Sequence, residues 1–144
     1  MAEQNYANHK QYRPLYHGLT FVLILVIGAL SIHKFVSAYR ENSDWMPALL
    51  FVLIWIVLVF IFFYARIFAL RAQDRAIRAE ENFRHFILTG KPLDRRLVIA
   101  QIIALRFSSD SEFPELARKA ADENTDPDTI KKSIQNWRAD HLRA

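Results

Sequence analysis

Apolar residues are concentrated in two blocks of the chain, residues 15–36 and 47–70, and most of the other residues are polar or charged. The second block contains eighteen consecutive uncharged residues, 48–65, rich in Phe, Leu, Ile and Val. A helix of about 20 apolar residues crosses the roughly 30 Å of hydrocarbon in a bilayer. The pattern therefore predicts a transmembrane helix over residues 47–69.

The first block is less apolar, because Tyr16, His17 and Gly28 interrupt it and Lys34 closes it. It still predicts a transmembrane helix over residues 15–37, since amphipathic rings such as those of Tyr16 and His17 are favoured at the membrane interface. Residues 38–46 then form the external loop. The alternative is a cleaved signal peptide with a small-residue site at 36–38, but His33 and Lys34 lie between the apolar stretch and that site.

The distribution of basic residues predicts the orientation of the two spans. The external loop carries a single arginine, Arg40, whereas five arginines lie within twenty residues at and beyond the end of the second span. Basic residues favour the cytoplasmic side of a membrane. Both termini, including the N-terminal segment 1–14, are therefore expected in the cytoplasm. The five arginines are Arg66, Arg71, Arg75, Arg78 and Arg84.

The second apolar block continues into a charged segment without an interruption. Residues 47–88 contain no internal proline or glycine after Pro47, and Gly90 and Pro92 provide a typical helix end. At 1.5 Å per residue this helix is about twice as long as the hydrocarbon core requires. Residues 70–88 are therefore predicted to form a cytoplasmic extension of the second span.

Small and aromatic residues recur along this helix at alternating steps of three and four. Such a 3.5-residue repeat is typical of a seam that faces a partner helix, and alanine permits close backbone approach. The alternative is chance, because alanine is also the best helix former on a solvated surface. The sequence leaves open whether the partner is a second copy, the first span or the chain's own tail. The residues of this alanine seam are Phe62, Ala65, Ala69, Ala72, Ala76, Ala79, Phe83 and Phe86.

The tail, residues 93–144, is predicted to form a small helical bundle. Residues 97–105 have one polar residue in nine, so a helix there is either buried centrally or covered by a partner. A second helix is expected over 112–122. A third should begin after Asp126 as N-cap and place Ile130, Ile134, Trp137 and His141 on one face. The predicted fold class is an all-α membrane protein, in which a two-helix hairpin is followed by a helical tail.

The sequence predicts no catalytic residue, no metal site and no cofactor. The chain contains no cysteine and only three glycines, and its five histidines lack the spacing of a zinc motif. Two of them, His17 and His33, lie on the first span and would ligate a haem only if two copies came together. We therefore expect a protein that is not an enzyme.

An alternative interpretation is a membrane-tethered DNA-binding regulator, because residues 112–144 are predicted to form a helix, a turn and a helix. Lys131, Lys132 and Arg138 would be available to a groove. The charge balance argues against it, since residues 112–144 carry six basic and seven acidic residues. A DNA-binding domain is normally clearly basic.

Three stretches resemble an uncharacterised family of small bacterial membrane proteins, which carries only a domain-of-unknown-function label. They are EQNYANHKQY, QIIALRFSSD and PDTIKKSIQNWRADHLR. The resemblance implies two spans, a helical cytoplasmic tail and the bacterial inner membrane, and it brings no activity. The motif residues, which are candidates for packing or docking, are Gln101, Arg106, Asp110, Trp137 and Asp140.

Together these observations predict a non-enzymatic integral membrane protein. It is expected to act as an anchor, a scaffold or an accessory subunit of a larger membrane complex through its extended helix and its tail. The expected partners are the lipid bilayer and either further copies of the chain or other membrane proteins.

Overall fold

The computed structural model describes residues 5–6 and 15–140, and over these residues the chain is helical. A π-helical segment, Leu15–Thr20, leads into the first of five α-helices. Across the described ranges the one pairing of extended backbone is an isolated bridge between Ser108 and Trp137. The predicted all-α class is confirmed. The helices are α1 (Phe21–Arg40), α2 (Met46–Thr89), α3 (Ile99–Leu105), α4 (Phe113–Glu123) and α5 (Pro127–Ser133).

The described residues form two compact units, which we call the hairpin unit (15–68) and the tail unit (5–6 and 69–140). Helix α2 contributes its residues up to 68 to the first and its remaining residues to the second. Apart from Asn5 and Tyr6, the predicted N-terminal segment 1–14 lies outside the described residues.

In the hairpin unit, α1 packs against α2 where a glycine makes room for a large ring. Gly28 is buried against the side chain of Trp55, whose indole N–H donates to the Ile24 carbonyl at 2.8 Å. The rings of Tyr16 and Phe62 stack with centroids 4.7 Å apart. Aromatic rings of α2 thus fill the space between the helices, and Gly28 leaves room for one of them.

The remaining apolar surface of the hairpin unit is mostly exposed. Only 11% of the most apolar window of the first helical stretch is buried, and 6% of that of α2. A core helix of a soluble protein would instead be buried. The two stretches, Leu15–Arg40 and Met46–Thr89, are long and apolar enough to be candidate membrane spans.

Helix α2 ends as the sequence predicts. Gly90 adopts a positive φ of 73°, a conformation that glycine reaches at little cost, and its N–H donates to the Phe86 carbonyl at 2.8 Å. Proline at position 92 then follows. The helix begins one residue before and ends one residue after the predicted range 47–88.

The core of the tail unit forms around α3. Gln101, Ile102, Ala104 and Leu105 are buried, which confirms that this short apolar helix lies centrally. Helix α2 contributes Ile77 to the same core, so the tail unit includes part of the long helix. The core residues are Ile77, Leu93, Leu97, Ile102, Ala104, Leu105, Phe113, Ala117, Ala120, Ala121 and Ile130.

The turn between α4 and α5 follows the predicted local chemistry. Asn124 closes α4 in the left-handed conformation, which asparagine tolerates better than most residues. The Asp126 carboxylate then accepts the backbone N–H groups of Asp128 and Thr129, at 3.0 and 3.1 Å. The predicted N-cap is confirmed.

The predicted continuation of this last helix to residue 141 is wrong. Helix α5 ends at Ser133, and Ile134 is extended. The Glu112 carboxylate accepts the N–H groups of the next two residues, and the Arg138 N–H donates to the Phe107 carbonyl at 2.7 Å. Because these tertiary hydrogen bonds replace helical ones, Trp137 reaches the bridge with Ser108. The fourth predicted face residue, His141, lies outside the described residues.

Candidate interaction surface

The alanine seam of the tail unit is exposed. Ala69, Ala72, Ala76 and Ala79 are all exposed, and the seam ends at Phe83 and Phe86, which are 64% and 52% exposed. In the hairpin unit Ala65 is exposed as well, and Phe62 is half-buried against Tyr16. The side chains of Phe83 and Phe86 therefore face solvent, although the other faces of this part of α2 carry charged residues.

The core of the tail unit packs on a different face of α2. The residues that α2 buries there are Ile77 and Glu81, and Arg84 is largely covered as well. At 100° per residue, this face points about 140° away from the centre of the seam. The chain's own tail is thereby excluded as the cover of the seam, one of the alternatives that the sequence left open.

Arg84 links α2 to the segment between α3 and α4. It donates to Glu81 at 2.9 Å, to Asp110 at 2.7 Å and to the Ser108 carbonyl at 2.7 Å. Its guanidinium also lies over the Phe113 ring, 4.4 Å from the centroid. From the sequence, Arg84 is a topology-determining charge and is expected to pair with Glu80, four residues before it, whereas the structure pairs it with Glu81. Its spacing of three from Glu81 was a signal for the local pair, but not for the other contacts.

Two of the five motif residues hold loops of the tail unit in place. Gln101 accepts the Val98 N–H at 2.9 Å and donates to the Thr125 carbonyl at 2.9 Å, so it caps α3 and ties it to the turn before α5. Asp110 accepts from Arg84. Both contacts are within the chain and serve packing.

The other three motif residues come together at the end of the described chain. The buried Arg106 pairs with Asp140, and the Trp137 ring lies 5.1 Å from that of Phe107. These contacts fix the segment after α5 against α3. All five motif residues thus take part in packing of the tail unit, and a further role in docking stays a prediction.

The segment between α2 and α3 is held by charged groups. The Arg96 guanidinium donates to both carboxylate oxygens of Asp94 and to Asp122 Oδ1 at 2.9 Å. The side-chain hydrogen bond from Arg96, followed by that from its backbone N–H, lowers the pKa of Asp94 from 3.8 to about 2. The same pairing, with that to Asp122, raises the pKa of Arg96.

The geometry of α5 offers little for a DNA groove. The helix has seven residues, Lys131 lies 3.6 Å from Asp128, and the Lys132 ammonium lies over the Tyr6 ring. A recognition helix needs basic or polar side chains that are free to reach bases and phosphates. These contacts argue against α5 as a recognition helix, and DNA binding stays an alternative hypothesis.

In the described part of the chain, no group of three or more His, Cys, Asp or Glu side chains is arranged to hold a metal ion. That the protein is not an enzyme stays a prediction.

Comparison with known proteins gives a family but no relative of known activity. No curated protein matches the chain at a significant level, and no solved structure does. A family description, "Family of unknown function (DUF6526)", matches residues 1–144. The chain therefore belongs to this family over its whole length.

Proposed function

We propose that the chain is a non-enzymatic integral membrane protein that serves as an anchor or scaffold and assembles through its alanine seam. The observation that carries this proposal is the exposed seam on the face of α2 opposite the tail core. It continues beyond the predicted span and ends in two exposed phenylalanines. Burying such a side chain fully stabilises an assembly by about 1.5–3 kcal/mol.

Insertion into a membrane accounts for the exposed apolar surface of the hairpin unit. Large side chains such as Leu50, Phe60 and Phe63 are at least half exposed on the faces of α2 that do not pack against α1. Water would disfavour this surface, whereas hydrocarbon would solvate it. The arginines after residue 65 favour a cytoplasmic tail, and a second span brings the N-terminus to the same side.

The partner that best fits the seam is a second copy of the chain. Copies inserted with the same topology have parallel α2 helices, as a parallel coiled coil requires. If Ala69 and Ala76 occupy a positions of the heptad, Arg75 occupies g and Glu80 occupies the following e. In a parallel pair these positions face each other, so Arg75 of each copy meets Glu80 of the second copy. This charge complementarity favours a homodimer.

Disulfide crosslinking in intact membranes tests the proposal directly, because the natural chain contains no cysteine. The single substitution Ala76→Cys places a thiol on the seam. Arg78→Cys is the matched control, since it is exposed on the same helix about 160° away. A disulfide needs Cα atoms about 4.4–6.8 Å apart, a distance that facing alanines of close-packed helices approach.

We expect mild oxidation to convert Ala76→Cys into a covalent dimer and to leave Arg78→Cys monomeric. Equal crosslinking of both variants would indicate random collision and would refute the seam, as would no crosslinking of either. A product larger than the dimer, containing another protein, would instead identify the chain as an accessory subunit of a larger complex. Reaction of the tail with a membrane-impermeant reagent added outside the cell would refute the proposed orientation.

A further inference from the structure

A cleft of about 380 Å³ lies in the tail unit between α2 and the segment that follows it. Its apolar floor includes Leu97 and Ile102, which belong to the core. Its polar walls carry three arginines and one asparagine. We call it the cationic cleft, and the four polar residues are Arg75, Arg78, Asn82 and Arg95.

No described residue forms an ion pair with the three arginines of the cationic cleft, Arg75, Arg78 and Arg95. The one carboxylate in the lining, Asp94, already receives three side-chain hydrogen bonds from Arg96. Like charges held around one cleft repel each other, and a bound anion would relieve that repulsion.

The wall that carries Arg95 is fixed and does not depend on the side chain of Arg95 itself. Leu93 and Leu97 anchor it in the core, and the Leu93 N–H donates to Asn82 Oδ1 at 2.9 Å. That bond orients the Asn82 amide so that its NH₂ group remains a donor for a ligand. The cleft therefore offers three guanidinium groups and an amide donor in a fixed frame.

We infer that the cationic cleft binds a phosphate-bearing anion, either the headgroup of an anionic lipid or a free phosphate compound. Guanidinium groups bind phosphate oxygens in a bidentate manner, which makes arginine the preferred residue for phosphate recognition. This site goes beyond the proposed assembly and does not depend on it. Arg75 also flanks the seam, so it is left unchanged in the tests. The anion site and the proposed assembly can then be refuted independently.

The position of the cleft along α2 permits both sources of phosphate. Arg78 follows the last residue of the predicted span, Ala69, by nine residues, about 14 Å along the helix axis. The headgroup layer is roughly 5–8 Å thick on each side of the hydrocarbon. Side chains on a helix tilt towards its N-terminus, here towards the predicted span. Arg78 can therefore reach a headgroup phosphate and remains open to the cytoplasm.

The experiment measures hydrogen–deuterium exchange of residues 90–98 in the full chain purified in dodecyl maltoside at low salt. Inorganic phosphate is titrated in one arm and dioctanoyl phosphatidylglycerol in the other, with dioctanoyl phosphatidylcholine as the zwitterionic control. Helix α4 is the internal reference. Protection of 90–98 by phosphate indicates a free anion as ligand, and protection by phosphatidylglycerol alone indicates a lipid headgroup.

Two charge-matched double variants decide whether the cleft is responsible. Arg78→Gln with Arg95→Gln is expected to weaken protection roughly tenfold or more in apparent affinity, as expected for two lost basic contacts. Lys119→Gln with Arg138→Gln removes the same charge from exposed sites outside the cleft. It should change the apparent affinity for the anion by less than about twofold. Arg78→Lys with Arg95→Lys keeps the charge and should give an intermediate affinity.

The inference is overturned if neither phosphate nor phosphatidylglycerol protects residues 90–98, or if both Gln double variants lose binding equally. All four substituted residues are exposed, so the tail unit should keep its exchange protection without ligand. If the Gln variant of the cleft fails to fold, the Lys variant decides: binding as tight as that of the natural chain contradicts bidentate recognition.

Discussion

Replacing Arg84 by methionine should destabilise the tail unit severely, because it leaves a buried carboxylate without its partner. The side chains of Arg84 and Glu81 are only 11% and 8% exposed, and their charged atoms are 2.9 Å apart. Breaking a buried ion pair by removing one member costs about 3–5 kcal/mol. Loss of the contact with the Phe113 ring adds to this cost, although the two effects are not independent.

Removing both charges should cost less than removing one. In the double variant Glu81→Leu with Arg84→Met, no buried charge is left uncompensated, and such replacements are often nearly neutral. The buried Ser108 carbonyl still loses its donor, at about 1–3 kcal/mol. We therefore expect the double variant to be more stable than Arg84→Met by roughly 2 kcal/mol.

Hydrogen exchange of the α4 amides in the full chain, in neutral detergent at pH 7, reports the free energy of opening of the tail unit. Arg118→Met is the matched control: its pair with Glu115 is fully exposed, so we expect no measurable change. The reasoning is refuted if Arg84→Met costs less than about 1 kcal/mol, or if the double variant is less stable than the single one.

Three further predictions concern other parts of the chain. Ile77→Ala should lower the free energy of unfolding by about 2–5 kcal/mol, because it opens a cavity in the core. Val98→Ala should lower it by less than about 0.5 kcal/mol, because that side chain is 54% exposed. Equal losses for the two variants in urea unfolding would contradict the burial of Ile77. Gly28→Ala should destabilise the packing of α1 on α2 by about 1–3 kcal/mol, because the added methyl group overlaps the indole of Trp55. In a variant whose other tryptophans are replaced, the substitution should also shift the fluorescence of Trp55. An unchanged spectrum would argue against this packing. Because folding lowers the pKa of Asp94, its contribution to the stability of the tail unit is present above pH 3.8 and is lost as the pH falls to about 2. Asp94→Asn should remove this part of the pH dependence of unfolding. Identical acid-unfolding curves for the variant and the natural chain would disprove the assignment.

Local chemistry in the sequence predicted the positions of the helices and the caps at Gly90 and Asp126. Gly90 and Asp126 act as caps because backbone geometry and short-range hydrogen bonds decide such positions. The apolar run at 97–105 predicted a central helix because so few of its residues are polar. These features depend on neighbours within a few residues, and such neighbours are visible in the chain itself.

Contacts between distant segments could not be predicted in this way. The periodicity of Ile130, Ile134 and Trp137 indicated a continuing helix, but Glu112, far earlier in the chain, takes the N–H groups that the helix would use. The sequence likewise did not predict that the alanine seam is exposed, since a 3.5-residue repeat is compatible with a buried face as well as with a free one. The cationic cleft required the structure, because Arg95 approaches Arg78 only through the packing of its loop.

The bridge between Ser108 and Trp137 bears on the order of events during synthesis. The tail unit uses Ile77 in its core and is complete only when Trp137, sixty residues later, has reached Ser108. At 5–20 residues per second, the ribosome takes about 3–12 s to produce that interval. Both apolar stretches have left the ribosome's active centre before then. The nascent tail therefore spends several seconds without its complete set of contacts, and a chaperone that protects it would act within that interval.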